Sequence, residues 1–202
     1  MTVATPITAD MVRELREQSG AGMMDCKRAL TEADGDVEKA TLILRERGMA
    51  AASKKAGREA REGLIGSYIH TGGRVGVLIE VNCETDFVAR TDGFQKLVRD
   101  LAIQVAGLSP LYVDVESVPA ADLETKRAEL AADPATAAKP AEIREKIVDG
   151  QLKKWFKEVV LYEQVFRDEE RTVRELITEQ IATIGENIRV RRFSRFALGE
   201  EL

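Results

Sequence analysis

Cysteine is scarce in this sequence: Cys26 and Cys83 are the two among 202 residues. That is too few for a disulfide scaffold or a structural zinc site, and it fits a reducing compartment, so the expected location is cytoplasmic. Histidine occurs once, as His70, which leaves no room for multi-histidine chemistry. Aromatic residues make up 5% of the chain. No apolar run approaches the roughly 20 residues that cross a bilayer, and no signal-peptide pattern opens the sequence, so no membrane association is expected. Positive charge is not in excess either, with 30 Lys and Arg against 35 Asp and Glu, a net charge of −5. Bulk attraction to nucleic acid or to an anionic membrane is therefore not expected. A Walker-type phosphate loop, a strand-linked G-x-G-x-x-G, C-x-x-C, H-E-x-x-H and G-x-S-x-G are all missing. The chain is expected to hold no nucleotide, cofactor or metal of its own, and to carry no catalytic residue. What it does have is 44% apolar residues, enough for a core, at a length that fits one large domain or a small one plus a medium one.

The first fifty residues predict three short helices. Thr8 is a candidate N-cap before Met11, Val12 and Leu15 at helical spacing. The turn Ser19-Gly20-Ala21-Gly22 interrupts, and a second helix from about Met23 buries Cys26, Ala29, Leu30 and Ala33 on one stripe. Asp34-Gly35-Asp36 is the next break, with Asp36 as cap and Val37, Ala40, Thr41 and Leu44 as the inner face of a third helix, stopped at Gly48. Residues 53–62 read as an exposed helical linker, whose basic cluster Lys54, Lys55, Arg58 and Arg61 is interleaved with Glu59 and Glu62. From Gly63 the period changes to that of strands. Leu64–His70 and Arg74–Val81 flank Thr71-Gly72-Gly73 as a hairpin, with Val75, Val77, Ile79 and Val81 on one face.

Helix follows, marked by Phe94, Leu97, Val98, Leu101, Ala102 and Val105. A charged helix is expected after Val118-Pro119, then a loop or frayed end from Ala131 to Pro140. Ile143, Ile147 and Val148 mark a helix ended by Asp149-Gly150, and Leu152, Trp155, Phe156, Val159 and Val160 mark another. Val173, Leu176, Ile177, Ile181 and Ile184 mark one more. The run Asn187–Phe196 is expected to rejoin the hairpin as a third strand, with Ile188, Val190 and Phe196 on one face. The fold class is α+β: a three-helix N-terminal domain (residues 1–52), the linker (53–62), and a core (63–202) with a small antiparallel three-stranded sheet packed with helices.

One constellation differs from core filler. In Glu80-Val81-Asn82-Cys83-Glu84-Thr85-Asp86-Phe87-Val88-Ala89-Arg90 a strand runs into a polar, turn-prone segment and then a large aromatic residue. That arrangement can project Asp86 and Phe87 from the end of a rigid strand into a partner's crevice. By pattern alone the competing reading, Phe87 in the core and Asp86 capping a helix, is the commoner one. Met23 and Met24 are adjacent on a helix and so point about 100° apart, which keeps both from full burial and suits either core or an adaptable contact surface. Cys83 and His70 could pair as thiol and imidazole, yet no third orienting residue can be named, and a buried structural cysteine is the commoner outcome.

Three stretches carry a resemblance. Leu15-Arg16-Glu17-Gln18-Ser19-Gly20-Ala21-Gly22-Met23-Met24-Asp25-Cys26-Lys27-Arg28-Ala29-Leu30 is similar to the N-terminal signature of the elongation factor Ts family. Glu80 to Arg90 resembles its second signature, built around Thr85-Asp86-Phe87-Val88, and Ile184 to Phe193 resembles its last core strand. The resemblance implies a ubiquitin-associated-like first domain that grips elongation factor Tu, in its GDP-bound and nucleotide-free states, near the nucleotide domain. It places Arg16, Met23, Met24 and Lys27 in that contact. It makes Asp86 and Phe87, flanked by Thr85 and Val88, the group that disturbs the partner's Mg²⁺ and phosphate site, so that GDP leaves and GTP can rebind. With one core set visible, the resemblance also implies a short form that pairs as a homodimer.

Three rival readings remain at this level. One is an adaptor that works through residues 1–52 alone. A second is RNA binding through Arg189, Arg191, Arg192 and Arg195, and the third is a cysteine hydrolase built on Cys83.

Overall fold

The computed structural model describes residues 6–167 and 171–200. The outer bounds expected at residues 1 and 202, and the opening residues read for a signal peptide, fall at least partly outside the described residues. In chain order the elements are α1 (Ala9–Ser19), α2 (Met23–Glu32), α3 (Val37–Lys55), β1 (Glu62–Ile69), β2 (Val75–Cys83), α4 (Asp86–Ala89) and α5 (Asp92–Leu108). They continue with α6 (Ala120–Ala132), α7 (Pro134–Ala137), α8 (Ala141–Val159), α9 (Val173–Ile184) and β3 (Arg189–Ala197). The fold is α+β, with a ubiquitin-associated-like helical region first and a three-stranded antiparallel sheet of order β1-β2-β3. The chain divides into two compact units. One comprises Met1–Gly63, Asn82–Ala89 and Glu175–Arg189, and the other Leu64–Val81, Arg90–Arg174 and Val190–Leu202.

In the first unit the helices start where their caps dictate. Thr8 Oγ1 accepts from the Met11 N–H at 3.2 Å, and Asp36 Oδ1 accepts from the Lys39 N–H at 3.1 Å. That bond to the charged form, aided by the Lys39 ammonium, holds the Asp36 carboxyl below the ordinary value of 3.8. Val12, Leu15, Cys26, Ala29, Leu30, Ala33 and Ala40 form the module's small core, with Val37 and Leu44 packed against it. The expected stop at Gly48 is not there: α3 runs on to Lys55. Glycine is tolerated inside a helix at about 1 kcal/mol, and a Cβ on Gly48 would meet that of Ala182 in α9 at 3.4 Å, an ordinary contact. The segment expected as a helical linker is helical only as far as Lys55: residues 56–58 form a turn and a bend, and residues 59–61 are irregular before β1.

In the second unit the inner face of β2 buries Val77, Ile79 and Val81. Helix α5, capped by Thr91 Oγ1 on the Phe94 N–H at 3.3 Å, buries Phe94, Leu97, Val98, Leu101, Ala102 and Val105. The approach of β1 to α5 is so close that a Cβ on Gly66 would fall 2.4 Å from Val98 Cγ1. Gln104 and Gln164, both buried, satisfy irregular backbone: Gln104 Nε2 donates to the Val165 carbonyl at 2.9 Å and Gln164 Nε2 to that of Glu158 at 2.9 Å. The Val190 N–H donates to the Tyr162 hydroxyl at 2.9 Å, which fixes the start of β3 within this unit.

The expected break at Asp149-Gly150 is also absent, because α8 is continuous. Val148 and Leu152 are buried on the same face across the glycine, so burial outweighs the propensity cost, and Asp149 pairs with Arg127 of α6 at 3.0 Å. Between Ala131 and Pro140 the chain makes the one-turn α7, capped by Asp133 on the Ala135 and Thr136 N–H groups. Phe196 was expected on the buried face with Ile188 and Val190, but it is 66% exposed. The alternation of β3 changes phase after Val190, and the consecutive Arg191 and Arg192 both reach Glu80, at 3.7 and 2.8 Å. Exposure at Arg191 and Arg192 in succession breaks the strict alternation, so that Phe196 falls on the exposed side.

Gly150 in α8 and Gly66 in β1 predict opposite outcomes in denaturant unfolding. Nothing lies within 4 Å of a Cβ at Gly150, so Gly150→Ala raises stability by about 0.5–1 kcal/mol. Gly66→Ala, forced into Val98, lowers it by about 1–3 kcal/mol.

Candidate partner-binding site

All the residues singled out as partner contacts belong to the first unit. Arg16 is exposed in the last turn of α1, and Met23 and Met24 open α2 with 55% and 66% of their surface exposed. Lys27 follows Met23 by one turn on the same side of α2, also exposed. The turn between these helices is held from within. Gly20 takes a left-handed conformation (φ 66°), the Ser19 hydroxyl donates to the Leu15 carbonyl at 2.6 Å, and the Ala21 N–H donates back to Ser19 Oγ at 3.3 Å. Buried Cys26 adds a weak bond from its thiol to the Ala21 carbonyl at 3.8 Å. A fixed turn thus displays two flexible thioethers between two cationic side chains.

The second group lies where β2 ends. Phe87 is 78% exposed, so the core reading of this residue is overturned. Asp86 does not cap the helix but occupies its first turn. The cap is Thr85, whose Oγ1 accepts from the Val88 N–H at 3.4 Å and whose carbonyl accepts from the Ala89 N–H at 3.4 Å. Ala89 is buried, Asp86 and Val88 are half-buried, and the aromatic ring alone stands fully outward. The ring thus stands in water at the head of a one-turn helix, outside the core of its unit.

Sequence reasoning missed the residues that hold this tip. Glu186, in the turn between α9 and β3, accepts through Oε2 from the Glu84 and Thr85 N–H groups, each at 3.0 Å, and through Oε1 from the Thr85 hydroxyl at 2.6 Å. In return Glu84 Oε1 accepts from the Asn187 N–H at 2.6 Å and lies 3.5 Å from the Arg58 guanidinium. Asn187 Nδ2 donates to the Arg58 carbonyl at 2.8 Å. No periodicity signals a partnership across a hundred residues; the one available hint was the pairing of glycine with two polar residues at Gly185-Glu186-Asn187.

Neither cysteine is equipped as a nucleophile. Burial, helped by the negative charge of Glu186, pushes the Cys83 thiol up to about 11, and its Sγ donates to the Thr85 carbonyl at 3.1 Å. The His70 ring is engaged with the Tyr68 hydroxyl at 3.0 Å. Among the described residues no cluster of three or more His, Cys, Asp or Glu is placed to hold a metal ion, and no helix is long and apolar enough to cross a membrane.

The sequence model described as elongation factor TS matches residues 36–176, from the start of α3 into α9. The elongation factor Ts of Carboxydothermus hydrogenoformans is 58% identical over 97% of this chain and 91% of its own length. The chain belongs to the elongation factor Ts family. It is therefore a translation elongation factor, as its relatives are named. Those of Heliobacterium modesticaldum and Caldanaerobacter subterraneus subsp. tengcongensis are each 55% identical, over 97% and 96% of the chain and 92% and 98% of their own lengths. An elongation factor Ts chain of this length thus spans nearly the whole of each.

The raised thiol pKa sets a measurable outcome for this elongation factor Ts. In the native state Cys83 resists thiol-specific reagents at neutral pH and gains reactivity only as pH climbs toward about 11, whereas the denatured chain is labelled at once. Mass spectrometry of labelled peptides checks this, and rapid native labelling near pH 7 would return Cys83 to the candidate nucleophiles.

Proposed function

We propose that this elongation factor Ts is a guanine nucleotide exchange factor for elongation factor Tu, one that breaks no covalent bond. The observation that carries the reading is the outward Phe87 beside Asp86 on a braced strand end. A GTPase holds GDP through backbone N–H groups of its phosphate loop and through Mg²⁺. A protein that binds the empty state best weakens nucleotide by the same factor by which nucleotide weakens it. Speeding release requires a transient complex in which those contacts are already loosened. Phe87 is the wedge that enters between partner elements beside the nucleotide, Asp86 disturbs the polar network around Mg²⁺, and Thr85 and Val88 set the wedge's base. Arg16, Met23, Met24 and Lys27 form the grip, on a domain of residues 1–52 joined by residues 53–62 to a core of residues 63–202. The place of action is the cytoplasm.

The arginines behind the RNA reading are engaged within the chain, which supports a protein partner rather than nucleic acid. Arg192 pairs with Glu80 at 2.8 Å, Arg195 with Glu200 at 3.3 Å, and Arg189 donates to the Ala60 carbonyl at 3.5 Å. The test is release of labelled GDP from elongation factor Tu. Phe87→Ala lowers the stimulated rate about tenfold or more while the thermal unfolding midpoint is retained. An unchanged stimulated rate at matched concentrations sinks the wedge.

A homodimer is part of the same proposal. On the outer face of the sheet Ile65, Ile69 and Phe196 are each 66% exposed and Leu78 is 50% exposed, around the Glu80–Arg192 pair. An exposed apolar sheet face is the kind of surface that two copies of one chain bury in an isologous contact. Light scattering is expected to give a dimer mass, and Leu78→Lys to shift it to the monomer. A concentration-independent monomer of the parent chain would rule the dimer out.

A further inference from the structure

We infer that Glu186 is a positioning residue for the Asp86–Phe87 tip; this rests on the exchange reading above and adds the group through which the wedge is held. Helix α4 has four residues. A single turn fixes several dihedral angles for one hydrogen bond and does not persist alone in water. Its first N–H groups have no partner inside the helix and must find one elsewhere. Glu186 holds the entry to that turn from the far side of the sequence, accepting with one oxygen from the N–H of Thr85, its cap, and from the N–H of Glu84 just before it.

The other oxygen does something a neutral acceptor would not do equally well. A carboxylate has no proton to offer, so the Thr85 hydroxyl, 2.6 Å away, must donate to it. That leaves the hydroxyl's lone pairs free to accept from the Val88 N–H at 3.4 Å, the bond that closes the turn carrying Phe87. The direction of the ring therefore follows from the ionised Glu186 through Thr85.

Glu186 itself is placed by the chain around it. Gly185 has φ 89°, a conformation that side chains resist, with no steric obstacle nearby, so backbone geometry and not crowding calls for glycine there. One residue further on, the Asn187 N–H donates to Glu84 and its side chain donates to the carbonyls of Ala56 and Arg58. The junctions after α3, before α4 and after α9 are thus closed into one reciprocal clasp. A tip held this way spends no ordering entropy when it meets the partner GTPase, whereas a loosened one must be ordered in the complex.

The loss should therefore appear in the maximal stimulated rate of GDP release more than in the half-saturating concentration, since the α1–α2 grip does not involve Glu186. Glu186→Ala, Phe87→Ala and the double variant are compared with the parent by labelled-GDP release from the partner GTPase, and by amide hydrogen exchange at Glu84 and Thr85. Glu186→Ala is expected to lower the maximal rate about tenfold, the scale of a lost charge-assisted hydrogen bond. Half-saturation should stay within about twofold, and exchange at both amides should accelerate. In the Phe87→Ala background the same substitution should cost less than about twofold, because the two act through one ring. Glu186→Gln, which keeps one oxygen acceptor, should recover part of the rate and of the amide protection, and it carries the same readings if the alanine variant does not fold. Losses that multiply in the double variant, or unaltered amide exchange, overturn the inference. A Phe87→Ala protein that stimulates GDP release at the parent rate removes the wedge reading instead, and a parent chain that gives no stimulation removes the exchange reading; in either case the clasp is judged on amide exchange at Glu84 and Thr85.

Discussion

A one-turn helix has no means of holding itself, so whatever this chain presents at Phe87 depends on the carboxylate of Glu186. That group satisfies two backbone donors and orients one hydroxyl, and by doing so gives the end of β2 a defined shape. The arrangement is reciprocal, since Glu84 returns a bond to the Asn187 N–H. Half-buried acceptors that meet several donors make stronger and better-oriented contacts than exposed ion pairs do. Burial, with the same negative charge as a second cause, raises the Cys83 thiol, which donates to the Thr85 carbonyl.

Glycine plays three distinct physical parts in this fold, and only one of them is the turn that sequence reading assigns to it. Gly20 and Gly185 take left-handed conformations, which other residues resist. Gly66 gives up its side chain so that β1 can lie against α5. Gly150 does neither; nothing crowds it, and α8 passes through because Val148 and Leu152 continue one buried stripe. Reading every such glycine as punctuation shortened α3 and split α8.

Charge shows a similar division between composition and placement. The arginines of β3 look like a basic patch in the sequence, yet each is turned to a carboxylate or carbonyl of its own unit. Arg191 and Arg192 both pair with one glutamate, and beyond them Phe196 is exposed rather than on the face that strict alternation assigns to it. Local pairing therefore decides which apolar side chains the outer face of the sheet displays.

The sequence by itself determined the α+β class, the caps at Thr8 and Asp36, the buried stripe of α5 and the hairpin with its returning third strand. Each of these is written in a local period or a local side-chain bond, and those survive without knowledge of the rest of the fold. It also marked Thr85 to Val88 as unusual, but left open whether Phe87 was core or contact, because an aromatic after a strand suits both. Only the tertiary structure decided that, by bringing Glu186 to the Thr85 N–H across 101 residues so that the turn closes with the ring in water. A hydrogen bond between chain-distant groups leaves no periodic trace in the sequence, and the direction of a side chain on so short a helix is set by such bonds rather than by the helix itself.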